Sequence, residues 1–193
     1  MGNENVKDRN LTRFTEQMQH VDELAVTVLK GHLVLEEQLD RIVSKFLFHP
    51  KHLDAANLRF HQKAKVAQCM SLDEHDNSVW ELLLAINSLR NHLAHSLEPE
   101  KRQQRFDRVK TMFDSEHDSS GIETAQMRDH EIVAFAVAMV LGFLSSFEEE
   151  VERYRDWVAT LDKVVNPHRH GPDAQPKETD EQSVGHGAAD SNG

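Results

Sequence analysis

Cysteine is almost absent from the chain, since Cys69 is the only one among 193 residues and no disulfide can form within it. Proline and glycine are scarce as well, with five and eight residues. Few helix breakers and long periodic apolar segments favour helices over sheets. Aromatic residues make up only 6% of the sequence, against 38% for all hydrophobic residues. These proportions predict one all-α domain with a core of Leu, Val, Ile and Ala.

Long hydrophobic runs are also missing. The first ten residues, MGNENVKDRN, lack the apolar centre of a signal peptide, and we therefore expect a cytoplasmic protein. The longest apolar run, residues 132–144, would rise about 20 Å as a helix, less than the roughly 30 Å hydrocarbon core of a membrane. A buried core helix and no membrane contact are therefore expected. No metal-ligand pattern stands out among the thirteen histidines, so we expect neither a metal nor another cofactor.

Positive charge is in deficit, because the formal net charge is −11. Such a chain has no general attraction for nucleic acid, so RNA binding would require a local basic patch. One candidate is residues 101–110, KRQQRFDRVK, in which five basic residues accompany a single acidic one. The five candidate RNA-binding residues are Lys101, Arg102, Arg105, Arg108 and Lys110.

Apolar residues recur at spacings of three and four, which predicts an antiparallel helical bundle with short connections. Gly31 lies inside the apolar stripe of the first helix, where it costs about 1 kcal/mol relative to alanine. A close approach of two helices is expected to compensate for that cost. Helices are expected at about 11–48, 60–72, 79–96, 100–113 and from 124 or 128 to 165, with a short helix or turn at 51–58.

The ends of the chain differ from its centre in composition. Residues 1–10 are polar and are expected to be flexible. Residues 166–193 are rich in Pro, Gly and acidic side chains and have no apolar periodicity, which predicts a disordered polar tail. The helical domain is therefore expected to span residues 11–165.

The helix predicted at 79–96 carries polar residues in unusual places. Arg90 falls inside the apolar stripe, about 40° from Ile86, where an unpaired guanidinium would be costly. A second row on another side of the helix joins apolar anchors to polar groups, as an interface with a cleft does. That row consists of Trp80, Leu84, Asn87, Asn91 and His95.

This second row has a functional and a structural interpretation. Trp80 and Leu84 are too apolar for a free surface, which predicts a homodimer interface made by Trp80, Leu84 and Asn87 across a two-fold axis. The structural interpretation treats each polar residue singly: Asn91 would bond between helices, and His95 would stabilise the helix C-terminus. Arg90 would then pair with a carboxylate, for which the candidates are Glu36, Glu37 and Asp40.

The segment RNHLAH, residues 90–95, resembles the Arg-x(4–6)-His motif of the HEPN superfamily (higher eukaryotes and prokaryotes nucleotide-binding domains). Arg90 matches the arginine, Asn91 the polar residue that follows it, and His95 the histidine. His92 is a second histidine nearby, but only His95 fits the motif. The segment KGHLVLEEQLDRIV is similar to the early helix of the family, and LRFHQKAKVAQ resembles a Phe-x-x-Lys stretch in the branch related to the mannitol repressor. The similarity covers roughly residues 20–150.

The resemblance implies an antiparallel bundle that usually dimerises and, in many members, a metal-independent endoribonuclease. Many such members act as toxins or defence effectors, so a cognate antitoxin is a further expected partner. By this resemblance His95 would be the general acid or base, Arg90 would stabilise charge on the phosphate, and Asn91 would orient the histidine or the phosphate. The alternative is a non-catalytic helical dimer that regulates transcription or binds a partner, as mannitol-repressor-like relatives do.

Geometry sets one condition on this site. Arg90 and His95 lie about 140° apart on a straight helix, so one chain aims them poorly at one atom. We therefore expect either a two-fold partner that completes the site or a helix that ends before His95.

Overall fold

The computed structural model describes residues 21–72, 77–95, 98–117 and 124–170, with residues 9, 11, 12, 14 and 15. Its regular elements are all helical, and no strand occurs in those ranges, which confirms the all-α prediction. Short 3₁₀ turns occupy Pro50–His52, Asp54–Ala56, Thr124–Gln126 and Pro167–Arg169. The helices are α1, Glu23–Phe46; α2, Phe60–Gln68; α3, Val79–His95; α4, Pro99–His117; and α5, Asp129–Val165.

Residues 11, 12, 14 and 15 are helical as the apolar pattern predicted, but residues 21 and 22 are not, and helix α1 begins at Glu23 with Asp22 as its cap. The Asp22 carboxylate accepts a hydrogen bond from the backbone N–H of Ala25 at 3.0 Å, which satisfies one of the free donors of the first turn. Arg102 also binds this carboxylate, and that hydrogen bond is the main cause that lowers the pKa of Asp22. The apolar stripe of α1 is fully buried and includes Val28, Leu35, Leu39 and Ile42.

Helices α1 and α5 are neighbours that run in the same direction. Glu23, at the start of α1, pairs with His130 at 3.2 Å, near the start of α5. Further along, Gln38 donates to Glu148, and Lys45 pairs with Glu152 at 3.1 Å. The residue numbers increase together on both helices, so these two helices, which are not consecutive in the chain, are parallel. Apolar periodicity defines which face of a helix is buried but not the direction of the helix packed on it.

The close approach expected at Gly31 is confirmed and leads to a stability prediction. A Cβ placed on Gly31 would lie 2.7 Å from Cγ2 of Val137 in α5, a buried β-branched side chain with few rotamers. Gly31→Ala should therefore lower the free energy of unfolding by about 1–3 kcal/mol, because overpacking outweighs the gain in helix propensity. Urea denaturation measures this change.

Gly142 supplies the matched control for Gly31. It lies in the middle of α5, and a Cβ placed on it meets nothing within 4 Å. Gly142→Ala should therefore raise the free energy of unfolding by about 0.5–1 kcal/mol through helix propensity alone. Equal effects of the two substitutions would contradict the close packing of α1 on α5.

Helix α5 carries the longest apolar run, and among the described helices it alone is long and apolar enough to cross a membrane. The core helix of a soluble protein meets the same test of length and composition. One face of α5 is buried in the core, through residues that include Ile132, Val133, Val140 and Leu144. This buried face agrees with the expectation that the apolar run forms a core helix.

The chain divides into two compact units, residues 1–155 and 156–193. In the second unit, the carboxylate of Asp162 accepts hydrogen bonds from Asn166 at 2.6 Å and from His170 at 2.8 Å. Both bonds lower the pKa of Asp162, and the bond from His170 has the larger effect. The first residues of the predicted tail are therefore bonded to the last turns of α5. Residues 171–193, and most of the N-terminal segment predicted to be flexible, lie outside the described residues.

Candidate functional site

A groove of about 700 Å³ lies between α1, the start of α2 and the C-terminal half of α3. Helix α1 contributes His32 and Glu36 to its walls, and residues 57–61 form a second side. The third side comes from α3, whose polar residues recur there at every turn. The α3 residues that line the groove are Asn87, Arg90, Asn91 and His95.

The three predicted catalytic residues therefore lie on the walls of one groove within one chain. Helix α3 runs unbroken to His95, so it does not end before that residue as one expectation required. The groove is wide enough to include both Arg90 and His95 despite their angular separation on the helix. A second chain is thus not needed to place both groups beside the same ligand.

Arg90 carries a charge that no carboxylate in the described part of the chain neutralises. Its Nη1 donates a hydrogen bond to Oδ1 of Asn91 at 3.2 Å. Two of the carboxylates considered as partners are occupied elsewhere, because Lys63 pairs with Glu36 at 3.1 Å and with Asp40 at 2.8 Å. The Arg90 guanidinium is half-buried and lines the groove, so it can bind an anion there.

Lys63 neutralises the acidic wall of the groove. Desolvation acts to lower its pKa, but the hydrogen bonds that it donates to Asp40 and Glu36 raise that pKa overall. Lys63 therefore stays protonated and offsets Glu36, the one carboxylate in the groove lining. The same lining contains two arginines, Arg59 and Arg90. The groove is thus locally cationic in a chain whose formal net charge is −11.

His32 is a groove residue that the sequence pattern did not predict, as are Arg59 and His61. It is only 3% exposed, and its Nε2 lies 3.0 Å from Oδ1 of Asn87. Burial lowers the pKa of His32; the Asn87 hydrogen bond opposes that effect, and the Arg90 charge adds to it. The sequence does contain a signal for His32, because this polar residue lies within the apolar stripe of α1 as Arg90 lies within the stripe of α3.

The two histidines near the motif have different surroundings. His92 is buried, and its Nε2 lies 3.1 Å from the backbone carbonyl oxygen of Glu98, which it can reach only as a donor. It thereby joins the end of α3 to the start of α4. His95 is exposed and lines the groove. Of these two, His95 is therefore the one that can contact a ligand, in agreement with the motif spacing.

The predicted dimer row is not a continuous exposed face. Trp80 is 3% exposed within a single chain, where its ring packs edge-on against Phe143 at 5.1 Å and Phe147 at 5.5 Å. Leu84 is partly buried and packs against the same core. The prediction of an interface formed by Trp80 is therefore wrong, because α5 covers this side of α3. Asn87 has a different environment and belongs to the groove.

The basic run on α4 also separates into different environments. Arg102 is held by both carboxylate oxygens of Asp22, and Lys110 lies about 180° around the helix from Lys101. Lys101, Arg105 and Arg108 share one exposed side. Lys101 also pairs with Glu98 at 2.7 Å, and Arg105 donates to the Ser88 hydroxyl. Three of the five predicted RNA-binding residues therefore form a patch, and two do not.

Among the residues that the structure describes, no three His, Cys, Asp or Glu side chains are grouped as metal ligands. Cys69 is exposed and is a free thiol. Comparison of the chain with protein-family models, with curated proteins and with solved structures found no match to any of them.

Proposed function

We propose that the protein is a metal-independent endoribonuclease of the HEPN type that cleaves RNA bound in the groove. The observation that carries the proposal is the unneutralised Arg90 guanidinium in a groove that His95 also lines. A cationic groove in an acidic chain favours an anionic ligand, and a phosphodiester meets that requirement. The exposed side of α4 with Lys101, Arg105 and Arg108 would bind the RNA backbone outside the groove.

The proposed reaction is an internal transfer of the phosphodiester. His95 accepts the proton of the ribose 2′-hydroxyl, and the 2′-oxygen attacks the adjacent phosphorus. The bond from phosphorus to the 5′-oxygen breaks, that oxygen takes up a proton from water as it leaves, and His95 releases the proton that it accepted to the solvent. Arg90 donates to the phosphate oxygens on which negative charge increases in the transition state. The products are a 2′,3′-cyclic phosphate end and a 5′-hydroxyl end, with no change in oxidation state.

The biological setting is part of the same proposal. A ribonuclease of this kind in the cytoplasm would act as a toxin or defence effector, with an antitoxin protein as its partner. The antiparallel HEPN bundle and the homodimer also remain proposals. A dimer would have to use residues other than Trp80, because that side chain is already covered within one chain. Arrest of growth on expression, and its loss with His95→Ala, would test this setting.

A non-catalytic partner-binding module is the second candidate, and the outer face of α1 favours it. Apolar side chains on that helix are open to solvent, with Leu33 62% exposed and Val34 45% exposed. Exposed apolar patches commonly mark protein contact sites. Harmless expression, together with no RNA cleavage by the purified protein, would support this candidate over the ribonuclease.

Cleavage should persist in excess EDTA and should leave 2′,3′-cyclic phosphate ends. A 2′-hydroxyl nucleophile is activated by removal of one proton, so the proposed step does not require a metal-bound water. Gel analysis of end-labelled RNA after treatment with acid or phosphatase distinguishes cyclic from linear phosphate ends. Loss of cleavage in EDTA with recovery on addition of Mg²⁺ would contradict the mechanism.

A further inference from the structure

His32 is a nearly buried part of the groove wall, and it joins its own helix α1 to residues of α2 and α3. Its ring stacks on Phe60, the first residue of α2, with ring centroids 4.3 Å apart and an interplanar angle of 27°. The His32 residue is 3% exposed, so close packing limits the rotation of its ring. Such a ring can hold a hydrogen-bond partner in one place.

The partner of His32 is Asn87, one turn before Arg90 on α3. An amide oxygen only accepts hydrogen bonds, so the 3.0 Å contact between Nε2 and Oδ1 of Asn87 requires the proton to be on Nε2. The same Asn87 oxygen lies 3.5 Å from Nδ2 of Asn91. The other end of the Asn91 amide, Oδ1, accepts the hydrogen bond from Nη1 of Arg90 at 3.2 Å.

These bonds form one continuous series, which we call the amide relay: His32, Asn87, Asn91 and Arg90. Because Nδ2 of Asn91 is directed at Asn87, its oxygen is directed at Arg90, and the Asn91 amide has one orientation only. Reversal of that amide would place two donors against each other at Arg90. The buried ring of His32 therefore determines, through two asparagines, how the Arg90 guanidinium faces the groove.

We propose that His32 is a positioning residue of the site, which orients the Arg90 guanidinium toward the bound phosphate through the amide relay. The proposal rests on the proposed ribonuclease for its effect on catalysis, whereas the relay is a property of the free protein. His32 itself does not contact the reacting atoms, because Asn87 and Asn91 lie between it and Arg90.

The charges around His32 favour its neutral form, which the relay requires. Burial lowers the pKa of His32 most strongly, and Arg90 on α3 and Lys63 on α2 act in the same direction. Glu36 on α1, whose Oε2 lies 3.9 Å from Nδ1, and the bond to Asn87 act in the opposite direction. The net shift is downward, so His32 stays neutral at pH values where an exposed histidine is already protonated.

Two substitutions at His32 separate positioning from simple structural support. His32→Leu fills the buried site but removes the donor to Asn87, whereas His32→Gln restores an N–H donor near the former Nε2 position. His32→Leu should lower kcat for RNA cleavage by about 100-fold with little change in KM, because Arg90 is misaligned in the transition state. His32→Gln should recover most of the loss. Equal losses in both variants, or a change confined to KM, would overturn the proposal.

A spectroscopic measurement tests the relay without any assay of cleavage. In ¹⁵N-labelled free protein, the side-chain resonances of Asn91 and of Arg90 Nε should shift in His32→Leu and stay near the wild-type positions in His32→Gln. His52→Leu, at an exposed site outside the groove, is the control and should move neither resonance. Unchanged resonances in His32→Leu would refute the relay. If the resonances behave as expected but the wild-type protein cleaves no RNA, the relay stands and the proposed function is refuted.

Discussion

His95→Ala should lower kcat for RNA cleavage by about 100- to 10,000-fold, the range expected for loss of a general acid or base. Arg90→Ala should lower it by about 100- to 1,000-fold, because one preorganised cation facing the phosphate is lost. Neither residue is in the buried core, so the melting temperature should change little. Steady-state cleavage of a labelled RNA measures both effects.

Two exposed residues outside the groove supply matched controls. His52→Ala and Arg153→Ala remove a histidine and an arginine from the surface and should leave kcat unchanged. Wild-type activity of His95→Ala would contradict the proposed role of His95. Full activity of Arg90→Ala would contradict the ribonuclease proposal, which rests on the position of Arg90 in the groove.

Mixed dimers decide whether Arg90 and His95 act within one chain. Both residues line one groove of a single chain, so a heterodimer of Arg90→Ala with His95→Ala should stay inactive. Neither of its grooves contains both groups. Recovery of activity on mixing the two variants would show instead that the site is shared across a two-fold axis.

Trp80→Ala should lower the free energy of unfolding by about 3–5 kcal/mol, the cost usual for a large aromatic residue removed from a core. The indole is 3% exposed and packs edge-on between two phenylalanines of α5, so its removal leaves a cavity and breaks two aromatic contacts. Such a loss is a large part of the stability of an ordinary domain. Urea denaturation followed by circular dichroism measures it.

The other tryptophan is the control. Trp157 is 61% exposed, so Trp157→Ala should change the free energy of unfolding by no more than about 0.5 kcal/mol. The loss in Trp80→Ala should also be independent of protein concentration, because the contacts of Trp80 lie within one chain. If the Trp80→Ala variant instead stayed folded and dissociated into monomers on dilution, Trp80 would belong to a subunit interface.

The helices were predictable because their signal is local. Periodic apolar residues located α3 at 79–96, within one residue of its observed end, and placed Arg90, Asn91 and His95 on it. These three residues belong to one helix, so their spacing in the sequence largely determines their spacing in space. His32 and Asn87 are 55 residues apart, and no helical period connects them. The part of the site built from α1 and α2 therefore required the three-dimensional structure.

The error at Trp80 has a related physical cause. A helical wheel separates the faces of α3, but it does not reveal how many other helices surround that helix. Helix α3 is buried on more than one side, with Trp80 as well as Ile86 in the core. An apolar residue outside the main stripe was therefore assigned to a partner chain when it packs on α5. The basic run divides for a related reason, because consecutive charges on a helix point in different directions, and only Lys101, Arg105 and Arg108 share one exposed side.

The parallel packing of α1 on α5 has a consequence for the time at which the protein can become active. Gln38 and Glu148, which hold these helices together, are 110 residues apart in the chain. At typical translation rates, roughly 5 to 20 seconds separate the synthesis of the two partners. For the later part of that interval, from its own synthesis until Phe143 and Phe147 are made, Trp80 lacks both of its aromatic contacts. All the groove residues precede α5 in the chain, but we expect a stable groove only when α5 has left the ribosome, so the proposed ribonuclease would become active only after that helix is made.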